Sequence, residues 1–244
     1  MGAAVVESYD ELLATVDAVA FAVPPEVQSG MAVAAAREGK HVLLDKPIAG
    51  TLGDATELAE AIGHAGVGSI VALTRRFAPE TRAFLGDAAG KHWSAGAGTW
   101  LSGAVLGGEY SNSAWRHREG ALFDVGPHVF DLLDVTLGQI VDVVLCRRED
   151  ASDTWTVVFE HESGTLSTSQ LSLATPVRPS VFRVELSGND GVATLADRST
   201  SATDCFSVLL DEFLESVATG TEHSCSANRG LHLQKVLAGA QAAR

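Results

Sequence analysis

Asp17-Ala18-Val19-Ala20-Phe21-Ala22-Val23-Pro24-Pro25 decides how the rest of the chain reads. An apolar run of this length, without polar alternation, has the pattern of a strand buried on both faces, as in a parallel sheet flanked by helices. Pro24-Pro25 stops the strand. Beyond it, Glu26–Glu38 has helical spacing, with Val27, Met31, Ala34 and Ala35 expected inward and Gly39 as the C-cap signal. His41–Leu44 reads as a second buried strand. Thr51–Ile62 reads as a helix with Leu52, Ala55, Leu58 and Ile62 inward and Gly63 just after it, and Ser69–Leu73 as a further strand. Upstream, Ala3–Val6 is a short apolar run and Tyr9–Thr15 can form a brief helix. Strand–helix alternation with short links implies right-handed crossovers.

After Arg75 the pattern changes. Ala78–Leu85 reads as a short helix, Gly98–Val105 as a strand with one exposed face, and Gly120–Leu137 as a long helical stretch. Five β-type segments follow: Ile140–Arg147, Thr154–Glu160, Thr165–Leu173, Val181–Leu186 and Val192–Leu195. Ser163-Gly164 and Asn189-Asp190-Gly191 are hairpin signals. Helices over Asp204–Thr219 and Asn228–Ala243 finish the chain. The expected class is therefore α/β. A parallel sheet over residues 1–74 precedes an α+β domain over residues 75–244, whose open-faced sheet is mostly antiparallel.

Composition excludes several functions. A net charge of −14 argues against nucleic acid and against anionic membrane surfaces as partners. No apolar run reaches the ~18 residues of a membrane span. No basic segment followed by an apolar one opens the chain, so no signal peptide is expected. Cys146, Cys205 and Cys225 are too few and too scattered for a disulfide framework or a zinc site, and no two of the eight histidines are spaced to share a helix face. No metal is expected, and a cytoplasmic location is the simplest reading.

Two clusters carry chemistry. Lys46 follows a buried strand in Val42-Leu43-Leu44-Asp45-Lys46-Pro47, and ligands of parallel sheets bind beyond the carboxyl ends of strands. Asp124 and His128, four apart in Phe123-Asp124-Val125-Gly126-Pro127-His128, share one helix face, and Asp131 joins the stripe. Pro127 requires that the helix either kink there or restart there. An imidazole with a reference pKa of ~6.5 can accept a hydroxyl proton near neutral pH. An ammonium can stabilise the alkoxide that forms. Asp124 can orient the ring or bond a substrate hydroxyl. Together the three residues suit oxidation of an alcohol by hydride transfer.

These motifs together resemble the Gfo/Idh/MocA family, the glucose–fructose oxidoreductase and inositol dehydrogenase type of NAD(P)-dependent enzymes. The family's E-K-P tripeptide appears as Asp45-Lys46-Pro47, preceded by Gly39-Lys40-His41-Val42. Its D-x-G-x-H-x-x-D helix appears as Asp124, Gly126, His128 and Asp131. Its tryptophan–arginine lead-in matches Trp115-Arg116, and Arg76-Phe77 with Pro79 also fits. The resemblance implies Lys46 and His128 as the catalytic pair, with Asp124 beside them. It implies Val23, Pro24, Pro25, Gln28 and Asp45 along NAD or NADP, with Arg76, Trp115 and Arg116 toward a sugar- or polyol-like substrate. It makes residues 1–74 a partial Rossmann domain and residues 75–244 a substrate-binding domain that builds a homodimer or homotetramer.

Asp45 stands in place of glutamate, and Gln28 where many members carry histidine. The family's opening strand and its G-x-G-x-x-G/A loop have no counterpart, since Gly63/Gly66/Gly68 and Gly96/Gly98 have the wrong order and flanks. The expected result is an N-terminally incomplete nucleotide domain in which the Asp17–Val23 strand has an open edge. That edge is completed by a segment missing from this sequence, by Ala3–Val6, or by another chain. The rival expectation is a catalytically silent binding or assembly protein.

Overall fold

The computed structural model describes residues 4–108 and 111–244. The chain divides into two compact units, one of residues 1–72 with 209–234, the other of residues 73–208 with 235–244. The stretch 209–234, expected from sequence to belong with residues 75–244, packs instead with the first unit.

In the first unit, α1 (Tyr9–Thr15), β1 (Ala18–Ala20), α2 (Pro25–Arg37), β2 (His41–Leu44), α3 (Leu52–Ala65) and β3 (Ser69–Val71) alternate. The three strands form one parallel sheet in the order β1-β2-β3. Ser8 caps α1 and Thr51 caps α3, each side chain accepting the backbone N–H three residues on. α3 runs through Gly63 and ends at Gly66, whose left-handed φ of 64° makes it the cap. Among the described residues β1 pairs on one side only, and Ala4–Val6 form no strand; Ala3 lies outside the described residues.

The inward face of α2 differs from the expectation. Gln28, Ser29, Ala32, Val33, Ala35 and Ala36 are buried, whereas Val27 is exposed and Met31 is only half-buried. Small side chains let α2 approach closely, and Gln28 is buried because its amide is fully bonded. The stretch 209–234 closes onto the sheet. Val71 N–H donates to Cys225 C=O (2.7 Å), Ala227 N–H donates to Ser69 Oγ (3.0 Å), and Gly230 leaves room for Ile48 and Val71.

The second unit opens with a 3₁₀ turn (Thr74–Phe77), α4 (Pro79–Ala88) and β4 (Trp93–Leu101). α5 (Ala114–Asp124), α6 (Gly126–Leu137), β5 (Ile140–Glu149), β6 (Thr154–His161), β7 (Leu166–Ser172), β8 (Val181–Gly188) and β9 (Gly191–Ala196) follow. The six strands form one sheet in the order β5-β6-β7-β4-β8-β9, antiparallel except for β4 with β7. α7 (Ala202–Thr219) and α8 (Ala227–Ala242) complete the chain.

One face of the six-stranded sheet is covered by α6. Gly96 and Gly98 make this possible, because a Cβ on either would collide with Leu137 or Val129 of that helix. These two glycines, which have the wrong flanks for a nucleotide loop, are packing positions. The other face is open, and exposed Thr156, Leu166, Thr168, Gln170 and Arg183 alternate with buried Val157, Ser167, Ser169, Leu171 and Phe182. Cys146, Cys205 and Cys225 are buried, free thiols. No helix among the described residues is long and apolar enough to cross a membrane.

Candidate active site

In the first unit, Asp45-Lys46-Pro47 follows the carboxyl end of β2, and Lys46 is half-buried. Gln28, fully buried on α2, fastens this turn from both sides. Its Oε1 accepts Asp45 N–H (2.8 Å), while its Nε2 donates to Asp45 C=O (2.9 Å), Ile48 C=O (3.1 Å) and, more weakly, Pro47 C=O (3.4 Å). Asp45 is exposed, and its Oδ1 accepts Lys46 N–H at 2.8 Å. Val23 and Pro24 form the β1–α2 turn, and Pro25 opens α2 where a missing N–H costs nothing. The structure gives the amide of Gln28, a residue the resemblance places along the cofactor, to the lysine turn.

In the second unit, the helical stretch expected over Gly120–Leu137 is non-helical at its first residue, Gly120, and breaks once more inside. Gly120 adopts φ 69°, ψ −167°, because the Asp153 carboxylate occupies the space where a side chain would stand. Asp153 Oδ2 accepts Ala121 N–H (2.8 Å), its Oδ1 accepts Trp155 Nε1–H (2.9 Å), and Arg148 pairs with it at 3.1 Å. The second break is at Val125, after which α6 restarts with Pro127 in its first turn. Of the two options left open by the sequence, the restart is the one adopted.

Asp124 and His128 are buried at 8% and 7% exposure. Arg116 Nε donates to Asp124 Oδ2 at 2.9 Å, so Arg116 and Asp124 are brought together as an ion pair. The His128 ring stacks on Trp100, with centroids 5.6 Å apart and planes 27° from parallel. The Arg75 guanidinium lies 4.5 Å from the Trp100 centroid and 3.4 Å from that of Phe182. Burial first, and then the neighbouring Arg198 cation, lower the Arg75 pKa to about 10. Trp100, which stacks on the histidine, and Arg75, which lies over Trp100, were not singled out by sequence reasoning. Arg75 is the neighbour of Arg76, and Trp100 lies in a strand whose polar alternation was visible.

Arg76 is nearly buried and pairs with Asp131 (3.2 Å), tying the 3₁₀ turn to α6. Trp115 is half-buried on α5. Arg76 and Trp115 are not among the residues lining the cavity of about 350 Å³ that opens beside Asp124, whereas Trp100, Ser102, Arg116 and Val125 are. A separate cavity of about 220 Å³ in the first unit is lined by His41 and Ser69, at the amino ends of β2 and β3. It is therefore at the opposite end of the strands from Lys46.

Residues 1–73 match the model described as the oxidoreductase family with NAD-binding Rossmann fold, and residues 96–194 match the GFO/IDH/MocA C-terminal domain. The chain belongs to the Gfo/Idh/MocA oxidoreductase family. No curated protein matches the sequence. Among solved structures, GenD2 from gentamicin A biosynthesis, in complex with NAD, is 20% identical, with 99% of this chain and 80% of that one covered at a TM-score of 0.87. The apo scyllo-inositol dehydrogenase of Lactobacillus casei is 18% identical over 97% and 80% of the two chains, with a TM-score of 0.80. Levoglucosan dehydrogenase with NADH and L-sorbose is 16% identical over the same shares, also at 0.80. At these identities the likeness establishes the fold.

The first unit's residues suit one side of a dinucleotide. Exposed Ala22 and Pro24 follow β1, and exposed Asp45 follows β2, at the carboxyl ends where parallel sheets bind nucleotides.

Proposed function

We propose that this chain is an NAD(P)-dependent dehydrogenase of sugar-, inositol- or other polyol-like hydroxyls. The reading is carried by the setting of His128, a buried imidazole held face-on by Trp100, on the helix that starts just after the Arg116–Asp124 pair. When bound, the nicotinamide supplies the hydride acceptor. Val23, Pro24 and Asp45 are the residues proposed to hold it.

The chain's own side chains manage charge. As the carbinol carbon loses hydride, the hydroxyl proton passes to His128. The Lys46 ammonium stabilises the oxygen as negative charge builds on it. Asp124, fixed by Arg116, accepts a neighbouring substrate hydroxyl, so that the reacting carbon is held in register. Gln28 holds the turn that presents Lys46. The dehydrogenases of scyllo-inositol and levoglucosan among the structural relatives support this substrate class.

The open face of the six-stranded sheet is the proposed surface for a homodimer or homotetramer, which light scattering on the eluted protein would measure directly. For the activity, nucleotide binding is read by NADH and NADPH fluorescence and turnover by absorbance at the reduced nicotinamide band, across a panel of polyols and inositols. With an upstream glycine-rich segment restored, saturable binding with turnover of at least one polyol is expected. Binding of neither nucleotide by the completed protein would overturn the reading in favour of a silent assembly protein.

A further inference from the structure

The cavity beside Asp124 holds more positive charge than a neutral polyol requires. Two arginines and one aspartate line it. Arg116 is neutralised by Asp124 at 2.9 Å. Arg178 is not: among the described residues no carboxylate pairs with it. Carboxylates outnumber cationic side chains 31 to 17 in this chain, so an arginine left without one at a cavity does not reflect a shortage of partners. The acidic molecule as a whole repels anions, and capturing one requires a dedicated cation.

The rim that carries Arg178 is built of packed backbone. Thr175 N–H donates to Ser102 C=O (3.0 Å) and Val105 N–H donates to Leu173 C=O (3.2 Å), joining the segments on either side of the cavity. A Cβ on Gly103 would approach Thr175 C=O to 3.2 Å. The guanidinium is folded over this rim, its Nη2 3.8 Å from where a Cβ of Gly107 would stand. Ser102, 4% exposed and on the same wall, has a hydroxyl with no hydrogen-bond partner among the described residues.

We propose that the substrate is a polyhydroxylated carboxylic acid, its carboxylate held by Arg178 at the rim and its hydroxyls by the Arg116–Asp124 pair. This deepens the dehydrogenase reading and rests on it for the reaction, but not for the binding. One guanidinium fork matches one carboxylate. A phosphate dianion would call for a second uncompensated cation, and the other arginine of the lining, Arg116, is already paired with Asp124.

The test is calorimetric titration of the full chain, without nucleotide, by D-gluconate and D-glucuronate against D-glucitol, myo-inositol and glucitol 6-phosphate. Wild type is compared with Arg178→Ala and Arg178→Lys, each checked for native folding by circular dichroism. The acids are expected to bind about tenfold or more tighter than the neutral polyols, a margin in keeping with a charged hydrogen bond. Arg178→Ala should erase the margin, and Arg178→Lys should keep part of it. Equal binding of acid and neutral polyol by wild type, a preference for the phosphate, or an acid preference that survives in Arg178→Ala would each overturn the proposal. Because no nucleotide is present, a failure of hydride transfer leaves this result readable. Turnover of neutral polyols without acid preference would defeat the carboxylate site and leave the dehydrogenase standing.

Discussion

Gln28 is buried at 0% exposure, yet all of its side-chain hydrogen bonding goes to one short turn, the turn that carries Lys46. A glutamine in that position acts as an adaptor, accepting from one peptide and donating to others. Gln28→Leu would keep the volume and strand Asp45 N–H and the facing carbonyls in an apolar environment. The expected cost is on the order of 3 kcal/mol of stability, read as a fall in the urea midpoint. In turnover, kcat should drop while KM for the nucleotide changes little, and Gln28→His, which retains a donor and an acceptor, should restore part of the loss. An unchanged kcat in folded Gln28→Leu would show that the clamp does not govern the lysine. His128 and Asp124 were legible in the sequence because their spacing is regular. Gln28's clamp role was not, because it depends on a partner turn 17 residues away that no local pattern encodes.

At the scale of elements, the decisive device is the interrupted helix. Pro127 announced a disturbance near His128, and Gly120 stands where the expected helix begins, but no local pattern showed that a further helical segment, from Ala114, precedes it. The break depends on Asp153, which follows β5 and reaches back to Ala121 N–H. Asp153→Ala would leave Ala121 N–H and Trp155 Nε1–H without their acceptor and Arg148 with Asp150 alone, an expected loss of about 2–4 kcal/mol by the cost of unsatisfied buried donors. Denaturant melts would measure it. Gly98→Ala tests the other contact of α6. Its new methyl would press on Val129, the residue after His128, and should cost about 1–3 kcal/mol by overpacking. The inward face of α2 was misjudged for a related reason. Scoring by apolarity favoured Val27 and Met31, whereas close approach of α2 favours alanine, serine and a fully bonded amide. Strand positions were easier to read, because burial on both faces in the first unit and alternation in the second leave distinct signatures.

For the whole molecule, acid should be the destabilising direction. Partial burial would raise the Glu80 carboxyl, but hydrogen bonds from Thr200 N–H (3.0 Å) and Oγ1 (2.7 Å), with a weaker one from Ser199, outweigh it and hold the pKa at about 2. A depressed carboxylate contributes stability that is complete above its unfolded value of 4.5 and is lost as pH falls toward about 2. His161 adds to this. Burial pushes its pKa down, against the Gly138 carbonyl and Asp134, so its contribution is complete above 6.5 and declines as pH falls below that value. Chemical melts between pH 7 and pH 2.5 should show stability falling throughout, with Glu80→Gln flattening the most acidic part of the curve. A stability that rose on acidification would contradict both assignments.

Hydride transfer itself is the central matter, and the rate of NAD(P)H formation from a polyol substrate measures it. Wild type is compared with His128→Asn and Lys46→Met, each shown by circular dichroism to be folded. Removal of the proton acceptor or of the ammonium should cost roughly 10²–10⁴ in kcat while nucleotide binding is kept. Turnover at the wild-type rate in either variant would contradict the assignment of Lys46 and His128 as the groups that carry the reaction.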